Sequence, residues 1–401
     1  MAESKNMRLL AHDNLLGFGK MGEGISMQVT GNGRRILWMA HESAPKNYTG
    51  VDVTDPKNPK VIIQTDLPHD KVRSNSLEVT GDIMAIAYQT VGKGMEPAGV
   101  DLIDISTPEN PKRISFFDCS GPHSRGVHQL WFVDGEYLTM GAGAPDFEPI
   151  NPLDDQPYRM LDVRNPSKPV EVGRWWVPGT KVGDNAEPPP RHPVFDSGIR
   201  AHNTNVYPER PDRAYVAMLD GGAYILDISD KGNPKPVGHW NPHPPMPGFL
   251  HTILPLFNRE LMITTDESIR NEGADWPKRV WLLDMRNEDN LVPIATLPMP
   301  PVEEFGPRGG RYGAHNVHEN RPGPSFKSEE IIFGAYFSGG VRIHNISNPF
   351  QPEEIAYYVP DKPANSSVPT AQMNDIHVDE NGIIYAMERH MGGLYIFEAD
   401  I

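Results

Sequence analysis

Short apolar runs recur along the chain, each closed by a polar residue and a turn bearing proline or glycine. One set comprises Val51-Asp52-Val53, Leu102-Ile103-Asp104-Ile105, Leu161-Asp162-Val163, Leu226-Asp227-Ile228, Leu283-Asp284-Met285 and Ile343-His344-Asn345-Ile346. Turns such as Asp55-Pro56 and Asn165-Pro166 follow them, where the fixed φ of proline suits a turn and its missing N–H is no loss. A second set of runs precedes these, beginning at Ile36, Ile83, Tyr137, Ala214, Leu261, Ile331 and Ile383. Another apolar run comes after the proline turn, as at residues 170–176 and 355–359. Runs this short, rich in Val, Ile and Tyr and bounded by turn residues, predict strands and not helices.

The strand that opens each unit carries one polar column. Val127-His128-Gln129-Leu130, Ala201-His202-Asn203-Thr204, Leu250-His251-Thr252-Ile253 and Arg311-Tyr312-Gly313-Ala314-His315-Asn316-Val317 align without a gap. Ser74-Asn75-Ser76-Leu77 and Met373-Asn374-Asp375-Ile376 fit the same frame with asparagine in the histidine position. Seven four-stranded units begin near residues 22, 74, 127, 201, 250, 314 and 374. Four-stranded units of about fifty residues predict a β-propeller. We therefore expect an all-β, seven-bladed propeller filling one domain, residues 1–401. The seventh unit runs out after its third strand, while residues 7–10 form a spare apolar strand. Pairing the two would complete blade seven and remove two exposed edges.

The runs Gly221-Gly222-Ala223-Tyr224-Ile225-Leu226-Asp227-Ile228-Ser229 and Gly392-Gly393-Leu394-Tyr395-Ile396 resemble those of LVIVD-repeat β-propeller proteins. The resemblance spans nearly the whole chain and implies the fold; it carries no activity.

In a propeller the first strand of every blade lines the central channel, so the column side chains converge. His128, His202, His251 and His315 are then the candidate ligands of one divalent ion. Imidazoles suit Fe(II), Zn(II), Mn(II) or Cu(II), and the expected ion is Fe(II), with Zn(II) or Mn(II) as substitutes. The competing reading is structural, with the column holding water or the next blade. His318 and His377, three places further on, are expected to be structural. A ligating imidazole usually gives its other N–H to a carboxylate or carbonyl. Glu267, Glu42 and Glu388, at the ends of second strands, are the expected partners.

Arg73, Arg125, Arg200 and Arg311 each precede a column residue and would ring the same mouth. Guanidinium forks bind carboxylate or phosphate bidentately, so these arginines are expected to take a small anionic, carboxylate-bearing substrate. Pairing with the nearby acids Asp70, Asp118, Asp196 and Glu304 is the alternative. Long loops at residues 143–158, 177–199 and 298–313 are expected to be lids, binding loops or a contact between copies in a homo-oligomer. Tyr312 and His192, in these loops, are the expected acid–base groups.

Composition narrows the remaining options. A net charge of −16 argues against nucleic acid, which needs clustered cations. The one cysteine, Cys119, excludes an intramolecular disulfide and paired-cysteine zinc or redox chemistry. The first residues lead into no apolar stretch of membrane-spanning length, and a cytoplasmic location without membrane contact is expected. Proline and glycine, 41 and 37 residues, fall at regular intervals and mark turns instead of disorder.

Two metal-dependent activities are compatible with this pattern. Four axial histidines in a seven-bladed propeller are similar in constellation to the carotenoid and stilbene cleavage oxygenases, which would imply non-haem iron and O₂. A Lewis-acid ion beside arginines instead resembles the oligogalacturonate lyases, implying a lyase, hydratase or isomerase that stabilises an enolate. A propeller that serves only as a protein-docking scaffold is the third reading.

Overall fold

The computed structural model describes residues 2–401, and their strands form seven antiparallel sheets set as blades around a channel. In blade one the strands Met21–Val29, Arg35–His41, Lys46–Asp52 and Lys60–Asp66 pair in sequence order, and blades two to five repeat this meander. The expected all-β seven-bladed architecture is the one observed.

The core lies between the blades. Each of the seven seams carries its own buried apolar cluster, because the alternating side chains of one sheet meet those of the next. At the closing seam Tyr385, Met387, Leu394 and Ile396 of blade seven pack against Met21, Ile25, Leu37 and Met39 of blade one.

Closure uses more of the N-terminus than the apolar pattern suggested. Met7–Asp13 pairs antiparallel with Gly393–Ala399, as the outer strand of blade seven. Glu3–Lys5, too polar to read as a strand, adds itself to the outer edge of blade six against Glu353–Val359. Two consecutive segments thus protect two edges.

The inner strands are irregular at the column. In blades three, five and seven the register slips between Val127 and Gln129, Leu250 and Thr252, and Met373 and Asp375. His128, His251 and Asn374 are the unpaired residues at these slips. A bulge leaves one residue out of the ladder and redirects its side chain, which is how an inner strand turns a side chain towards the axis. Blade one slips between Met21 and Ile25, and Glu23 lies within the slip. Its backbone N–H donates to the Asn75 carbonyl at 2.6 Å. That approach requires the flanking glycines: a Cβ on Gly22 would meet Asn75 O at 2.5 Å, and one on Gly24 would meet Leu77 N at 2.2 Å.

Candidate metal centre

Four imidazoles and one carboxylate meet at the channel axis. Glu23 Oε2 lies 3.8 Å from His128 Nε2, 3.3 Å from His202 Nε2 and 3.5 Å from His251 Nε2. Glu23 Oε1 lies 3.7 Å from His315 Nε2. All five side chains are buried. The Nε2 atoms of His128 and His202 are 2.8 Å apart, and adjacent rings along the arc have centroids 4.5, 3.7 and 4.4 Å apart.

The outer nitrogens determine what the inner ones can do. His128 Nδ1 donates to Gln89 Oε1 and His202 Nδ1 to Asn203 Oδ1, both at 2.9 Å. His251 Nδ1 donates to Thr252 Oγ1 at 2.9 Å, and that hydroxyl donates onward to Asn316 Oδ1 at 2.9 Å. His315 Nδ1 donates to the Asn374 carbonyl at 2.5 Å. With every Nδ1 committed as donor, neutral rings turn their Nε2 lone pairs inward. Two such lone pairs 2.8 Å apart repel unless a cation or a proton lies between them. Among the described residues His251 Nε2, His315 Nε2 and Glu23 Oε2 have no hydrogen-bond partner although buried, a costly state for polar atoms unless something else satisfies them.

The electrostatics agree. Burial alone would raise the Glu23 carboxyl, but contacts with His202, His251 and His315 outweigh it and hold the group well below the ordinary range. Burial, then the His202 charge, keeps His128 well below the usual imidazole value. The donor set is one carboxylate and four imidazoles. Glu23 with His128 and His202, and Glu23 with His251 and His315, each bring three ligand atoms within 4.8 Å of one another. These buried groups could hold a metal ion.

Glu267 stands beside the centre and not behind it. Its Oε2 lies 3.6 Å from His251 Nε2 and its Oε1 3.6 Å from His315 Nε2, so it faces the inner nitrogens and takes no Nδ1 proton. Burial resists its ionisation, but His315, His251 and Arg311 bring its pKa down to about 2. Glu42 and Glu388, expected to orient imidazoles, are engaged elsewhere. Glu42 accepts from Arg73 and Arg389. Glu388 accepts from the backbone of Gln372, His390, Met391 and Gly392 and so holds a turn. The orienting groups are the i+1 side chains Asn203 and Thr252, the Asn374 carbonyl, and Gln89, an amide and not a carboxylate at the end of blade two's second strand.

The arginines form a rim. Arg73 bonds Glu42 and, at 2.6 Å, Gln89 Oε1, and its Nη2 lies 3.4 Å from His128 Nδ1 without donating to it. Arg125 makes a two-point pair with Asp155 at 2.6 and 3.0 Å. Arg311 donates to Glu267 Oε1 at 2.6 Å. Among the described residues Arg200 donates only to the neutral Gln156 Oε1, at 2.9 Å, and burial with Arg125 and Arg73 nearby pulls its pKa down to about 10. None of the four pairs with Asp70, Asp118, Asp196 or Glu304; Asp196 and Glu304 take Arg191 and Arg308 instead. Arg389, a fifth cation, bonds Glu42 at 2.7 Å and Asn374 Oδ1 at 3.2 Å.

The two expected acid–base groups lie in other surroundings. The Tyr312 hydroxyl donates to the Pro300 carbonyl, its ring is stacked between Trp276 and Phe305, and burial raises its pKa. His192 Nδ1 accepts from the backbone N–H groups of Val194 and Phe195 at 3.0 and 2.9 Å, which fixes its own loop. His318 and His377, expected to be structural, donate Nε2–H to the carbonyls of Phe326 and Pro324.

Glu23 is a column residue that the repeat alignment does not reach. The signal was present as Met21-Gly22-Glu23-Gly24-Ile25, an apolar residue followed by a ligand-type one. The segment between the paired residues is longer than in Leu250-His251-Thr252, and that length hid the alignment.

Among the described residues no helix is long and apolar enough to cross a membrane. A search of curated proteins found no match. Among solved structures, the chain is similar to the crystal structure of the Myceliophteria thermophila Cps50 (Swd1) β-propeller domain. The TM-score is 0.56 and the identity 12%, over 94% of this chain and 97% of that one. At that identity the likeness is one of fold. A family model, the LVIVD repeat, matches residues 212–241, which span the three outer strands of blade four. The chain is therefore a seven-bladed β-propeller that carries an LVIVD repeat.

Proposed function

We propose that this protein is a mononuclear metalloenzyme acting on a small carboxylate-bearing substrate at the arginine-rimmed mouth of its channel. The observation that carries the proposal is the convergence of four Nε2 atoms on Glu23 with every Nδ1 already donating. His128, His202, His251, His315 and Glu23 would hold the ion, and this mixed nitrogen and oxygen set suits Fe(II) or Mn(II), with Zn(II) also accommodated. Such an ion supplies Lewis-acid polarisation, and Fe(II) adds O₂ chemistry.

The chain's own residues do the rest. Arg200, which has no carboxylate partner, is the guanidinium best placed to receive a substrate anion. Arg125 and Arg73 add positive potential beside it. The buried seams around the column exclude water from the inner nitrogens. Gln89, Asn203, Thr252 and the Asn374 carbonyl hold the rings in one tautomer.

Oxygen-dependent iron chemistry is the first reading. Glu267 favours a second: a carboxylate beside the ion and an arginine is placed to move a proton α to a substrate carboxylate, as a lyase or isomerase requires. Metal analysis of the purified protein under anaerobic and aerobic conditions tests both. Oxygen-sensitive iron is expected for the first and redox-inert manganese or zinc for the second. A protein without stoichiometric metal overturns both and leaves a docking scaffold. His251→Ala should abolish binding while the circular dichroism spectrum is unchanged.

A further inference from the structure

Glu267 has two positive claimants. Its main chain is pinned by the N–H bond to the Phe249 carbonyl at 2.9 Å, and its side chain is buried. One carboxylate oxygen is 2.6 Å from Arg311 Nη1 and 3.6 Å from His315 Nε2; the other is 3.6 Å from His251 Nε2. Among the described residues, Arg311 is the only hydrogen-bond donor to this carboxylate. Both carboxylate oxygens therefore already face the two inner nitrogens that could hold an ion.

Arg311 sits at the other end of this pair. Its backbone N–H is fixed by Gln372 Oε1 at 2.7 Å and its guanidinium lies over Phe337, 5.4 Å from the ring centre. Among the described residues, its guanidinium makes no hydrogen bond other than that to Glu267. The fork retains unused N–H groups, and the side chain is 24% exposed. A carboxylate or phosphate matches the free side of such a fork at two points, and its charge weakens the hold of the guanidinium on Glu267. Once the guanidinium is taken, the charge on Glu267 is no longer neutralised, and an ion at the histidines becomes its best partner.

We propose that Glu267 is exchanged between Arg311 and the metal, so that an anion captured by Arg311 strengthens the hold of the centre on its ion. This rests on the metal-centre reading above and adds a coupling to it: by linkage, the ion must favour the anion by the same factor.

Co(II) serves as the ion and formate as the anion, with binding followed by the visible absorption of Co(II). In the wild-type protein formate should tighten Co(II) binding by about 10-fold, within the usual range of such couplings. In Glu267→Gln the formate effect should vanish. Arg311→Met, without formate, should bind Co(II) as tightly as the formate-saturated wild type and no longer respond to formate. An equal formate effect in Glu267→Gln would mean that formate binds the ion directly, and would overturn the exchange. Weaker Co(II) binding in Arg311→Met would overturn it as well. A wild-type protein that binds no Co(II) would remove the metal centre itself, a failure distinct from either variant result.

Discussion

Glu23 Oε2 lies 3.3 Å from His202 Nε2, although Glu23 belongs to blade one and His202 to blade four. A contact across the channel between a buried carboxylate and an imidazole whose other nitrogen already donates to Asn203 puts an anion opposite a lone pair. That arrangement calls for a cation between them, which is the basis of the metal-centre proposal.

Glu23→Gln tests the arrangement with little change of shape. Removing the anion should lower affinity for Mn(II) or Fe(II) by at least about 100-fold, at or beyond the upper end of losses seen when outer partners of ligands are removed. Isothermal titration calorimetry of the metal-stripped protein measures it, and unchanged affinity would show that the histidines alone define the site.

Gln89 holds His128 Nδ1 and also receives two donors of Arg73. Gln89→Leu leaves the ligand in place but frees its ring. A loss of about 10- to 100-fold in metal affinity is expected, with an unchanged melting curve for the metal-free protein. Retention of full affinity would show that ring orientation is set by packing alone.

Two buried histidines outside the four-imidazole cluster should set the acid limit of stability. Burial lowers the pKa of His344 to about 4 and that of His318 to about 3, and each ring donates to a carbonyl, of Pro298 and of Phe326 respectively. Their folded values lie below the ordinary one near 6.5, so unfolding takes up a proton. The stability they contribute is whole above pH 6.5 and is lost as the pH falls towards 4 for His344 and towards 3 for His318. At pH 5 each costs about 2 kcal/mol relative to pH 7, from 1.36 kcal/mol for each pH unit below 6.5. In urea unfolding, His344→Gln should therefore lose about 2 kcal/mol less than the wild type between pH 7 and pH 5. Parallel losses would show that the ring does not titrate on unfolding.

Lower in the channel, Arg321 of blade six donates to Glu78 of blade two at 2.7 Å, to Glu319 at 2.7 Å and to the Ile25 carbonyl of blade one at 3.2 Å. Arg321→Met strands two buried carboxylates, so a loss of about 3–5 kcal/mol is expected by chemical denaturation. A loss below about 1 kcal/mol would place these groups in solvent contact.

Much of the architecture could be read along the chain. The strands, the proline turns, the count of blades and the spare N-terminal strand are local matters, because side-chain alternation and turn chemistry act over a few residues. The histidine column was legible for a related reason: a repeat copies its geometry, so equivalent positions share an address on the ring. Glu23 escaped because its bulge is longer than the others. Glu3–Lys5 escaped because pairing at a sheet edge needs backbone groups and no apolar pattern.

The amino-acid sequence by itself determined that a ring of seven blades would form and which residues would stand at the head of each. Only the tertiary structure decided what those residues face. Pairings such as Arg311 with Glu267, Arg73 with Glu42, and His128 with Gln89 join different blades or loops. Their distances depend on the angle at which neighbouring sheets pack, a property of the closed ring that no single segment encodes.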